Sequence, residues 1–103
     1  MPALVDAVEA HRQAVLYFGA VIYQHGSAVP TANTGLLTSR TQFFQQSGVD
    51  ISGGSHVVSI ESSLIGTVAP DEKLIVDGVA YRNHGEVQGS DRAIKHFQVV
   101  PET

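Results

Sequence analysis

Residues 61–100 read ESSLIGTVAPDEKLIVDGVAYRNHGEVQGSDRAIKHFQVV, and the punctuation of this stretch decides the fold. Lys73-Leu74-Ile75-Val76 and the run from Val79 to His84 flank Asp77-Gly78. Asp-Gly between two apolar runs is a strong short-range hairpin signal, because a type I′ turn needs positive φ at both central residues. Upstream, Glu61 to Leu64 followed by Gly66 predicts a single helical turn, and Pro70-Asp71 a turn leading into the first strand of the hairpin. Downstream, Gly89-Ser90-Asp91 predicts another turn before a last strand over residues 93–100. There Ile94, His96, Gln98 and Val100 alternate with Lys95, Phe97 and Val99, which puts the two sets on opposite faces of a sheet. Pro101 ends that strand.

Toward the N-terminus, residues 56–60 (HVVSI) and 20–24 (AVIYQ) have strong β preference, and 35–40 (GLLTSR) reads as a weaker strand. Residues 41–46 (TQFFQQ) read as an extension of it, from which Phe43 and Phe44 cannot both face one core. One of the two is therefore expected at an edge or an intermolecular surface. The Ser- and Gly-rich residues 46–55 read as a long mobile loop carrying Val49 and Ile51, with Gly53-Gly54 beyond them. Two apolar side chains in a loop favour one that orders against a partner. Residues 2–18 predict a helix with Leu4, Val8, His11, Val15 and Phe18 on its core stripe, His11 half-buried, and Gly19 as a left-handed cap. The expectation is an α+β fold in a single domain, 1–103: an N-terminal helix (1–19), then a small antiparallel barrel or sandwich of about six short strands (20–100).

With 103 residues, 43% of them hydrophobic and 16% charged, the chain has the composition of a globular domain. A net charge of −4, with the six basic residues scattered, argues against nucleic-acid binding, which needs a phosphate-neutralising surface. No cysteine is present, which removes disulfides and thiolate metal sites. No apolar run approaches the roughly 20 residues that span a bilayer. The N-terminus lacks a basic segment and carries Asp6 and Glu9, unlike a secretory signal, so a soluble protein made in the cytoplasm is expected.

The sequence carries no recognisable catalytic or ligand-binding motif. His11, His25, His56, His84 and His96 stand apart, with neither HExxH nor HxH spacing. His84 and His96 fall on strands that could pair, which makes them the candidates for a small ligand- or metal-binding domain. Gly53-Gly54-Ser55-His56 is not a nucleophile elbow, phosphate-binding glycine loops are missing, and Asp71-Glu72 sit in a turn. No catalytic residue, cofactor or metal ligand is expected, and the protein is not expected to be an enzyme.

The order of these elements resembles the small head–tail joining proteins of long-tailed phages, lambda type. The likeness is carried by the strand at Val57 to Ile60, Leu64 as the buried aliphatic of a short turn, and Pro70-Asp71. It continues through Lys73 to Val76, Asp77-Gly78, the Ala80-Tyr81 strand and residues 93–100, with Tyr17-Phe18-Gly19 closing the helix. The double phenylalanine of residues 41–46 has no counterpart in that pattern. The resemblance implies a virion protein at the neck, assembled in the host cytoplasm. It would form a homo-oligomeric ring, with a hexamer the implied number, between a head connector on the portal side and the tail terminator, away from membranes and without sequence-specific nucleic-acid contact. It also implies that the mobile loop orders on assembly, which makes Phe43, Phe44, Val49, Ile51, Gly53 and Gly54 the candidate contact residues. A tail terminator or minor tail protein is the alternative within the same class.

Overall fold

The computed structural model describes residues 3–51, 53–87 and 93–102. Helix α1 (Ala3–Phe18) precedes β1 (Ile22–Gln24) and β2 (Gly35–Ser39); helix α2 (Arg40–Ser47) leads to β3 (His56–Glu61). A 3₁₀ turn (Ser62–Leu64) is followed by β4 (Lys73–Val76), β5 (Val79–Glu86) and β6 (Ile94–Pro101). The six strands form one antiparallel sheet in the order β1-β4-β5-β6-β3-β2. The sheet is curled into a half-barrel, so the α+β expectation holds. The turn expected at Gly89-Ser90-Asp91 lies outside the described residues.

Curling brings the two edge strands together at one corner. Ala20 and Gly35 form an isolated bridge, and the Thr34 hydroxyl accepts from Ile22 N (2.8 Å) while donating to Ile22 O (2.7 Å). Thr34 thereby occupies the hydrogen-bonding groups that an edge strand would otherwise offer to another chain. On β2, Gly35 faces Ala20 and Arg40 N bonds Ser55 O, so the alternation of an antiparallel pair turns the main-chain N–H and C=O of Leu37 away from β3. The open part of that edge is short.

The Asp77-Gly78 hairpin is present as predicted, with φ of 48° and 85°. Asp77 also serves the corner next to β1: its Oδ1 accepts from Val21 N and its own N–H donates to Val21 O. Pro70-Asp71 turns the chain with Asp71 at φ 67° and Glu72 N bonded to Ala69 O. Buried Asn83 ties this turn to β5, donating to Ala69 O at 3.0 Å.

The inner face of the curl holds the main core: Ile22, Val58, Ile60, Leu74, Phe97 and Val99, all at most 2% exposed. The outer face carries a second cluster, Phe43, Ile51, Val57 and Val87, beneath α2. This corrects two expectations. Residues 41–46 are helix rather than strand, which is how Phe43 reaches a core (6% exposed) while Phe44 does not (50% exposed). Ser39 caps the helix by accepting from Gln42 N, and Gly48 ends it at φ 76°. Nor are the described residues of 46–55, which leave out Ser52, the free loop their composition suggests. Ile51 is buried, Gly53 N donates to Gln98 Oε1 at 2.9 Å, and Ser55 N donates to Val99 O.

Three smaller expectations also change. Phe18 does not complete the core stripe of α1, being 83% exposed. Leu64 is exposed, and Ile65 supplies the buried aliphatic after the 3₁₀ turn. Gly19 is not a left-handed cap. It is needed for space, because a Cβ there would lie 2.3 Å from Val15 O and 2.9 Å from Gly35 O, where helix and corner meet.

Candidate functional site

Apolar side chains left in water concentrate at the C-terminal end of α1. Leu16, Tyr17 and Phe18 are 65, 72 and 83% exposed, and the rings of Tyr17 and Phe18 pack at 6.5 Å. Three successive residues sweep roughly 200° of a helix, so one sheet cannot cover them all. Here the sheet takes the opposite side, where Val8, His11, Ala14 and Val15 are half-buried. Among the described side chains of α1, Val8 to Phe18, none is fully buried. The helix rests on the sheet without being embedded in it.

Beside this ridge runs a groove of about 530 Å³ between α1, the chain before β2 and the 3₁₀ turn. His11, Arg12, Val15, Thr34, Glu61 and Leu64 line it, with exposed Leu64 continuing the apolar surface onto the far wall. Two polar contacts hold the helix over it. Asn33 Nδ2 donates to Val15 O, and Arg12 Nε donates to Glu61 Oε1 at 2.6 Å. The guanidinium holds the Glu61 carboxyl below the usual carboxylate range, against the opposing effect of burial.

On the outer face between the two helices lies a smaller cavity of about 220 Å³, with His11, Phe43, Ser59 and His96 among its walls. Ser59 Oγ and His96 Nδ1 are 2.6 Å apart, and the Phe43 ring packs on the imidazole at 5.2 Å. A serine–histidine pair invites a nucleophilic reading, but Ser59 is only 6% exposed and, among the described residues, no carboxylate lines this cavity. The pair reads as a satisfied cross-strand contact between β3 and β6. His11 Nε2 is buried without a hydrogen-bond partner; desolvation lowers its pKa from the ordinary 6.5, while the charge of Glu61 pulls the other way.

The residues singled out from the sequence scatter. Phe43 and Ile51 belong to the outer core, so their burial removes them as ready contact residues. Gly53 is bonded to Gln98, and Gly54 lies so close to β6 that a Cβ would come within 2.7 Å of Val99 main-chain atoms. Phe44 and Val49 alone of the six remain on the surface as exposed apolar side chains, 50 and 38% accessible. His84 and His96 do not meet. His84 lines a cavity with Arg82, Val100 and Glu102, whereas His96 lines the one with Phe43 and Ser59. No group of three or more potential metal ligands occurs among the described residues. No helix among them is long and apolar enough to cross a membrane.

No family model, curated protein or solved structure matches the chain. The ridge Leu16-Tyr17-Phe18 with its groove is the candidate site on geometry alone. Its sequence signal was three consecutive large apolar residues at a helix end, more than one face can bury.

Proposed function

We propose that this protein is a structural subunit that acts through protein–protein contact at the α1 ridge, and that its assembly is the neck ring joining a phage head to its tail. The observation that carries the first half is the ridge itself, three large apolar side chains in water beside a groove that continues the apolar surface. Contiguous exposed apolar surface on a folded protein marks an interaction site more often than an accident. The second half rests on the turn order that resembles the lambda-type joining proteins. The partners in this reading are further copies of the chain, a connector protein on the head side and the terminator on the tail side. It needs no catalytic residue or cofactor.

The test is reconstitution. Purified protein is examined by sedimentation velocity and electron microscopy, then added to separated heads and tails of the phage or prophage that carries the gene. Rings and joined particles are expected, and Phe18→Asp is expected to abolish both without lowering the Tm. A strictly monomeric protein with no affinity for heads or tails overturns the proposal. Knockout particles separate the roles: filled heads beside finished tails indicate joining, and tails of aberrant length indicate a terminator or minor tail protein.

The groove volume favours one other reading, a small ligand-binding domain, since pockets for small molecules fall in the range of roughly 300–1,000 Å³. Native mass spectrometry of protein purified from its own host tests that reading by looking for a retained ligand.

A further inference from the structure

We propose that the seating of α1 on the sheet is acid-sensitive and that His11 is the group that titrates. His11 stands where the helix meets the outer face, forming part of the wall of both cavities. Its Nε2 is shut away from water and meets no acceptor or donor. A neutral imidazole can occupy such a place; an imidazolium must find partners for two N–H groups or return to water. The charged and titratable groups around it offer little relief. Glu61 on β3 is the nearby carboxylate, and its Oε1 already accepts from Arg12, the neighbour of His11 on α1. His96 on β6 is bonded to Ser59. The surfaces facing it from β2 and α2, Leu36, Thr38, Phe43 and Gln46, carry no charge.

The direction follows from proton linkage. The seated state binds the proton less tightly than a helix released into water, where the imidazole returns to its ordinary value of 6.5. Seating is therefore full above that value and weakens as the pH falls through it. What opposes release is modest, because none of the described α1 side chains is fully buried. Release dismantles the groove, since α1 is one of its walls. Leu36 and Ile94, which share the smaller cavity with His11, would then face water. Protonation thus shifts the balance toward the state in which the groove is dismantled.

Hydrogen exchange of the full chain tests this, corrected for intrinsic rates and comparing α1 amides with those of β3 and β6. One proton weakens seating by up to about tenfold between about pH 7.5 and about pH 5.5, so α1 alone is expected to lose protection by up to that factor. His11→Leu is expected to make α1 protection independent of pH, with His11→Gln read the same way should the leucine variant not fold. His96→Gln should respond like the unaltered protein. An NMR titration of His11 in the unaltered chain, needing no variant, is expected to give a pKa below 6.5 with α1 resonances tracking it. Unchanged α1 protection across this range, a response that survives in both His11 variants, loss of the response in His96→Gln, or a His11 titrating at or above its ordinary value would each overturn the proposal.

Discussion

Arg12 Nε lies 2.6 Å from Glu61 Oε1, an ion pair that spans 49 positions of sequence and fastens α1 to the end of β3. Because the guanidinium depresses the Glu61 pKa, the contribution is present above the ordinary carboxylate value of 4.5 and is lost as the pH falls through the depressed value. Arg12→Gln should flatten the acid limb of the stability–pH curve below about pH 4.5 and, by freeing Glu61 for a protonated His11, should weaken the His11 response at higher pH. Arg12 is largely in water, so salt at about 1 M, where the screening length is about 3 Å, should shrink the difference between the two proteins. Urea midpoints measured across pH at two salt concentrations check both points.

Phe43 and Phe44 are adjacent but unequal. Phe43→Ala empties the outer core beside Ile51 and Val57 and is expected to cost about 3–5 kcal/mol, whereas Phe44→Ala should change stability by no more than about 0.5 kcal/mol. Urea unfolding of the pair measures the contrast, and equal losses would show that both rings are packed.

Gly19→Ala drives a Cβ against Val15 O and Gly35 O, main-chain atoms that cannot swing aside, and should destabilise by about 1–3 kcal/mol. Gly66→Ala meets nothing within 4 Å and needs no positive φ, so it should be neutral or stabilise by up to about 1 kcal/mol. Thermal unfolding of the two variants gives opposite or clearly separated shifts.

Thr34→Val removes the hydroxyl that serves both main-chain groups of Ile22, a residue only 1% exposed. An unpaired buried N–H and C=O should cost about 1–3 kcal/mol. The variant should also self-associate more readily, because the edge of β1 is then available for pairing. Denaturation and light scattering report the two effects separately.

The hairpin at Asp77-Gly78, the last strand and the α+β class were legible because turn chemistry and period-two alternation are local signals. Helix α2 was not read, since Thr41-Gln42-Phe43-Phe44-Gln45-Gln46 has no apolar stripe. The clue lay at its ends: Ser39 with Gln42 three positions on has the spacing of a capping box, and Gly48 is a left-handed stop. The burial of Ile51 is not legible from its neighbours, because a Ser/Gly-rich stretch looks free until its partner, Gln98 on β6, is known. The apolar ridge was obscured for a different reason. Assigning Phe18 to the core stripe assumed that helix and sheet stay in contact to the last turn, but the chain must turn at Gly19 to enter the corner, and that lifts Phe18 away.

The Ala20–Gly35 corner also bears on the order in which the molecule assembles. β4, β5 and β6 neighbour one another in sequence and in the sheet, so they can form an early nucleus by closing short loops. β1 must find β4 some 50 positions away, pairing Ile22 with Val76, before Thr34 has an edge to cap. The corner is then expected to close as a latch after the rate-limiting step. In a chevron analysis Thr34→Val should leave the folding limb almost unmoved and raise the unfolding limb, with φ near zero. Leu74→Ala, buried on β4 opposite Tyr81 of β5, should slow folding by comparison. The feature that shields the edge of the finished protein would thus contribute little to reaching it and much to how long it lasts.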